Sequence, residues 1–178
     1  KIKDNSNNDY IIEDIIAFYQ HILDYHSSGT SLHEENGHYF TVDDFFRSQD
    51  KNFDLIFIDG LHTYEQVKKD FINSLKVINK GGIIILDDMI PRNWKEQQTP
   101  RVQSQWTGDV WKLLFDLNKL DGINYKIILI DNGQCVVFPK NIKLTEEFLL
   151  DNIKTKHFDY LYENFKSLPV IELKEGLR

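Results

Sequence analysis

Two apolar runs that each end in acid constrain this chain more than any other feature. Phe53-Asp54-Leu55-Ile56-Phe57-Ile58 runs into Asp59-Gly60, and Ile83-Ile84-Ile85-Leu86 runs into Asp87-Asp88. A strand apolar on both faces belongs inside a parallel sheet that is covered on both sides. Between the runs, Tyr64, Val67, Phe71, Leu75 and Ile78 recur at helical spacing. Thr63 stands where an N-cap is needed, with Gln66 three residues on in the capping-box position. Asn79-Lys80-Gly81-Gly82 offers glycine for a left-handed helix end. The unit reads as strand, helix, strand, with the right-handed crossover that parallel strands demand.

The flanks extend this pattern. Ile11, Ile12, Ile15, Ile16, Tyr19, Ile22 and Leu23 predict an amphipathic helix over Tyr10–Tyr25, followed by a polar loop over 26–37. His38–Thr41 reads as a short strand, and Asp43 or Asp44 as the cap of a helical turn that carries Phe45 and Phe46. Residues 89–105 form a polar connection with Pro91, Pro100, Arg92, Trp94 and Arg101, long enough to act as a lid over a ligand. A helix is expected over Trp106–Leu120, then strands over Tyr125–Ile130 and Gln134–Phe138 joined as a hairpin by Asp131-Asn132-Gly133. Helices over Thr145–Ile153 and His157–Leu168 close the chain. The fold class is therefore α/β: an open, mostly parallel sheet with a C-terminal antiparallel hairpin, whose antiparallel strand is expected at the sheet edge. Three stretches follow: 1–37 as an N-terminal helix and polar loop, 38–140 as the α/β core, and 141–178 as a helical extension.

Composition narrows the function classes. The net charge is −7, and basic runs are short, so nucleic acid is not an expected partner. Lys68-Lys69 is expected on a solvated helix face. No apolar stretch is long enough for a bilayer, so no membrane partner is expected. The one cysteine, Cys135, lies in an apolar run and reads as a buried strand residue. An internal disulfide framework is excluded, which fits a reducing, cytoplasmic setting.

In an open α/β sheet, ligands bind beyond the carboxyl ends of the strands. Asp59, Asp87 and Asp88 all stand there, with His62 three residues past Asp59. Converging carboxylates repel unless a cation or a positive ligand compensates them. Oxygen ligands suit Mg²⁺, Mn²⁺ or Ca²⁺. The competing reading makes them helix caps and loop acids facing water. His62 is either a general base or a solvated loop residue. The other histidines, at 21, 26, 33, 38 and 157, show no zinc-ligand spacing.

The run FDLIFIDGLHTYEQVKKDFINSLKVINKGGIIILDD resembles the central segment of class I S-adenosylmethionine-dependent methyltransferases, in the small bacterial-type branch with FDxIFIDGLHxYEQ. Upstream, Thr41–Phe46 is similar to that family's TSDEFF segment, and Trp106–Lys112 is similar to its W-x-GDVWK helix start. The likeness covers about residues 38–140 and implies a Rossmann-like fold. It also implies S-adenosylmethionine bound near Asp43, Asp59 and Gly60. Asp59, Asp87 and Asp88 are similar to the Mg²⁺ triad of metal-dependent O-methyltransferases. Asp59 and His62 are then the catalytic pair, and the acceptor is a hydroxylated small molecule such as a sugar.

The glycine-rich Glu-x-Gly-x-x-x-Gly turn that opens such folds, and the strands around it, are not found, so the N-terminal strands are expected to be missing or altered. This leaves a second reading, a non-catalytic or truncated methyltransferase-like module serving in protein interaction. A homo-oligomer is compatible with either.

Overall fold

The computed structural model describes residues 51–150 and 152–176, together with residues 2–3, 9–11, 33–35, 38–40 and 46. Two short antiparallel pairs stand before residue 51: β1 (Ile2–Lys3) with β2 (Asp9–Tyr10), and β3 (His33–Glu35) with β4 (His38–Phe40). The strand expected at residue 38 is thus present. Tyr10, expected to open a helix, instead pairs with Ile2. The remainder of that expected helix, from residue 12, lies outside the described residues.

From residue 53 the chain builds one five-stranded sheet. Its strands are β5 (Phe53–Ile58), β6 (Ile78–Leu86), β7 (Tyr125–Ile128), β8 (Gln134–Val137) and β9 (Val170–Ile171), in the order β5-β6-β8-β7-β9. β6 runs parallel to β5, β8 antiparallel to both β6 and β7, and β9 parallel to β7. Every strand except β8 therefore points the same way, which makes a mostly parallel, Rossmann-like sheet. The hairpin is the expected one, but its antiparallel strand lies inside the sheet and not at its edge. β8 hydrogen-bonds β6 on one side and β7 on the other, and β9 then pairs with the far side of β7. The C-terminal stretch thus supplies a strand as well as helices.

Helix α1 (Tyr64–Val77) starts as its sequence dictates. The Thr63 hydroxyl accepts the Gln66 N–H, and Glu65 in the first turn complements the helix dipole. The Gln66 side chain bonds Asp70 and does not reach back to the cap. The helix end differs from expectation. Ile78 already has extended geometry, and Gly81 and Gly82 lie within β6, where the register against β5 shifts. Gly81 takes φ +85°, and a Cβ on Gly82 would stand 2.9 Å from the Asp54 carbonyl oxygen. These glycines serve an irregular strand entry, not a helix cap.

Helix α2 (Lys112–Leu117) is shorter than the predicted 106–120 because Gly108 has φ +62° and the N–H groups of Thr107 and Gly108 both go to the Glu96 carbonyl. α3 (Glu146–Leu149), α4 (Phe158–Asn164) and α5 (Leu173–Gly176) follow. The core lies on one face of the sheet. Ile84, Leu86, Tyr125, Ile127, Cys135 and Val137 pack there with Val67 and Phe71 of α1, and with Trp111, Leu114 and Leu117 at α2. The opposite face is more open than the apolar run suggested: Leu55 is 58% and Phe57 48% exposed.

Lys68 also departs from expectation. It is buried, and its ammonium donates to Asp116 at 3.0 Å, to the Tyr64 hydroxyl at 3.0 Å and to the Phe148 carbonyl. Only Lys69 faces water. A single helix position decides this, since Lys68 lies one turn from Tyr64 on the inward face.

Candidate active site at the strand ends

Ile58 and Leu86 are register partners, so Asp59 and Asp87-Asp88 leave the sheet side by side. The Asp87 N–H donates to the Ile58 carbonyl at 3.0 Å. Asp88 then turns into the left-handed region at φ 57°, which a non-glycine residue adopts at a cost and mostly where neighbours impose it. Those neighbours come from the hairpin turn. The Asn132 amide donates to Asp88 Oδ1 at 2.8 Å, Met89 N–H to the Gly133 carbonyl at 2.9 Å, and Ile90 N–H to the Asn132 carbonyl at 2.6 Å. Placing β8 beside β6 is what brings this turn under Asp88.

His62 completes the site. Its Nε2 stands 3.5 Å from Asp59 Oδ1 and 3.3 Å from Asp88 Oδ2. Its Nδ1 donates to the Trp106 carbonyl at 2.8 Å, and its ring stacks on that indole with centroids 5.2 Å apart and planes 25° from parallel. The next residues lock the two segments together: Tyr64 N–H donates to Asp109 Oδ1 at 2.7 Å, and Asp109 Oδ2 holds Lys112 at 2.8 Å. The two motif segments around His62 and Gly108-Asp109 are thus one interlocked structure.

Asp59, His62 and Asp88 each offer a ligand atom, and those atoms lie within 4.8 Å of one another. Asp87 does not join that group. Its Oδ1 accepts the Asp88 N–H at 3.0 Å, and it lines a small pocket with Ile58, Asp59, Gly60 and His62. Of the residues expected at the site, Asp59, Gly60, His62, Asp87 and Asp88 are therefore neighbours. Asp43 lies outside the described residues.

The electrostatics match a crowded acidic edge. Burial raises the Asp88 pKa, as do the nearby charges of Asp87 and Asp59, against the opposing hydrogen bond from Asn132 and the charge of His62. Burial likewise raises Asp87, opposed by the Asp88 N–H and aided by Asp59. For His62, burial alone would lower the pKa. The hydrogen bonds to Asp59 and the Trp106 carbonyl, with the charges of Asp88 and Asp59, outweigh it and leave the value raised.

Loop 89–105 is pinned around Glu96, which is buried. Its carboxylate accepts the Arg92 N–H at 2.7 Å and the Asn93 amide at 3.0 Å, while its carbonyl takes the Thr107 and Gly108 N–H groups. Sequence reading missed the supporting roles of Glu96 and Asn132. The Asp131-Asn132-Gly133 signature marked the turn but not that β8 would carry it to Asp88, and Glu96 sits in a polar run without periodicity.

Comparison with known proteins adds two findings. An uncharacterized protein of Acanthamoeba polyphaga mimivirus is 45% identical over 49 residues, which are 28% of this chain and 22% of that protein. The chain thus spans only about a fifth of that relative's length. Residues 4–89, just under half of the chain, match the model of a family described as a methyltransferase domain, and that stretch contains Asp43, Asp59, Gly60, His62, Asp87 and Asp88.

Proposed function

We propose that this chain is an S-adenosylmethionine-dependent methyltransferase that acts on a hydroxyl group of a small molecule such as a sugar. One observation carries the reading: Asp59, His62 and Asp88 converge beyond the ends of two adjacent parallel strands, within the stretch similar to methyltransferase domains. The carboxylates of Asp59 and Asp88, with Asp87 extending the acidic edge, are oxygen donors of the kind that would hold a divalent cation such as Mg²⁺. When bound, the cation would supply Lewis acidity to the acceptor hydroxyl and S-adenosylmethionine the methyl group. His62 Nε2 faces the same spot and holds the proton that the hydroxyl gives up. Asp59 and Gly60 border the cofactor side, as the resemblance implies for Asp43 too. The loop pinned by Glu96 shields one side of His62 with Trp106 and so limits water there. The buried Cys135 and the acidic charge suit a cytoplasmic enzyme with a small-molecule acceptor. Among the described residues no helix is long and apolar enough to cross a membrane.

Calorimetric titration of S-adenosylmethionine into the chain, with and without Mg²⁺, tests this. Saturable binding near ~1 μM to ~100 μM is expected. Asp59→Asn should remove the Mg²⁺-dependent heat while leaving the melting temperature in place. Absence of heat at millimolar ligand would sink the enzymatic reading for this chain.

A further inference from the structure

Asp88 is held by the hairpin turn between β7 and β8, a stretch that lies beyond the residues matching the methyltransferase family. Two backbone bonds dock the residues after Asp88 onto that turn: Met89 N–H to the Gly133 carbonyl at 2.9 Å, and Ile90 N–H to the Asn132 carbonyl at 2.6 Å. Ile90 packs so closely on Gly133 that a Cβ there would stand 2.5 Å from its side chain. These contacts fix the left-handed backbone of Asp88 at φ 57°. A separate contact fixes the carboxylate. The Asn132 amide donates to Oδ1 at 2.8 Å, while Oδ2 stands 3.3 Å from His62 Nε2, which Asp59 Oδ1 approaches to 3.5 Å. The two oxygens of Asp88 are thus divided. One is tied to the turn, and the other faces the group at the strand ends.

We propose that Asn132 is the positioning residue for Asp88 and makes the strand ends prefer Mg²⁺ to Ca²⁺. Mg²⁺ demands a near-octahedral shell, keeps several of its waters and uses few carboxylates, so it tolerates little movement in them. Ca²⁺ takes more oxygens in a flexible shell and accepts both oxygens of one carboxylate. A carboxylate with one oxygen engaged by an amide presents the other in a single orientation, which suits the first ion better than the second. Released from Asn132, Asp88 would be free to turn and to offer both oxygens. Asn132 touches neither cation nor acceptor in this scheme and acts only through Asp88. This deepens the proposed function and rests on it for the cation, but the hydrogen bond itself does not.

Calorimetric titration of Mg²⁺ and, separately, of Ca²⁺ into the chain tests this, with no methyl donor and no acceptor present. The wild type should bind Mg²⁺ more tightly. Asn132 is not left-handed, unlike its neighbours Asp131 at φ 51° and Gly133 at φ 80°, so alanine suits its backbone. Asn132→Ala should weaken Mg²⁺ binding about tenfold or more, with a smaller loss for Ca²⁺. The ratio of the two affinities is the readout, since a residue that merely steadied the turn would lower both alike. Equal losses, no loss, or a wild type that prefers Ca²⁺ overturns the proposal and leaves the proposed function standing. A wild type that binds neither ion removes the cation from the proposed function and overturns this role with it, while the heat of S-adenosylmethionine binding still judges the methyltransferase reading by itself. If Asn132→Ala fails to fold by circular dichroism, Asn132→Leu, of similar shape and without a donor, takes its place in the same two titrations.

Discussion

Two groups of acids serve this fold on opposite terms. Asp116 on α2 is fully buried, and its carboxylate receives the Tyr64 hydroxyl, the Lys68 ammonium at 3.0 Å and the Lys119 ammonium at 2.6 Å. Asp59 and Asp88 stand at the strand ends, 40% and 19% exposed, and are met by His62 and, for Asp88, by the Asn132 amide. The first group is compensated by cations from its own chain. The second has a net excess of negative charge, with Asp87 raised in pKa by burial and the Asp59 charge, and Asp88 by burial and the charges of Asp87 and Asp59. A carboxylate that is saturated by buried donors is a structural part. Carboxylates that remain electrostatically uncomfortable at a strand edge are the ones a ligand would relieve.

The largest expected effect breaks the compensated group. Asp116→Ala takes the shared acceptor away from Tyr64, Lys68 and Lys119, and removing one partner of a buried ion pair costs about 3–5 kcal/mol. Urea unfolding should show that loss, with a smaller one for Asp116→Asn. A cost below about 1 kcal/mol would mean that Asp116 is not the tie that joins α1 to α2, and the contrast would fail.

The next effect lies at the rim. Gly108 has φ +62°, and an added Cβ would stand 1.6 Å from the His62 oxygen and 2.6 Å from its carbonyl carbon, both backbone atoms that cannot swing aside. Gly108→Ala should therefore cost about 1–3 kcal/mol in unfolding free energy. It should also weaken the stack of Trp106 on His62, visible as a change in tryptophan fluorescence. A neutral substitution would show that the segment after Trp106 can withdraw without cost, and that the rim is not held from the backbone.

Much of this was legible in the sequence, and the exceptions have a common cause. Periodicity and paired acids located β5, α1 and β6, and with them Asp59, His62, Asp87 and Asp88, because all of that information is local. The position of β8 between β6 and β7 was not local: the same hairpin signature fits an edge or an interior placement, and only the pairing with β9 and β6 distinguishes them. Asn132 reaches Asp88 across 44 residues as a consequence. Lys68 was misread for a similar reason. A pair of adjacent lysines on a helix looks solvated, yet one of them points at an aspartate 48 residues away. Helix α2 starts late because Gly108 is spent on the His62 carbonyl, a close approach that no periodicity reports.

The smallest effect is the most informative about the rim, and it has a sign. His62 binds its proton more tightly in the folded state, so its contribution is complete below about pH 6.5 and is lost as pH rises through the raised folded value. Asp87 and Asp88 are raised as well. The native state keeps their protons longer, so stability falls as pH climbs from the unfolded value of 3.8 through the raised folded ones. All three groups therefore slope the same way, and the site is more comfortable in acid than at neutrality. Asp88→Asn removes one of these contributions and drops a charge that raises His62. Asparagine accepts φ 57° readily, so the backbone should not object. Urea unfolding across a pH series should give a flatter profile for Asp88→Asn than for the wild type. At about pH 8 the variant should be more stable, or weaker by no more than about 0.5 kcal/mol. If Asp88→Asn instead costs well over ~1 kcal/mol at that pH, Asp88 is held by its partners as firmly as Asp116 is by its own, and the rim is a second structural cluster with no charge left over for a ligand.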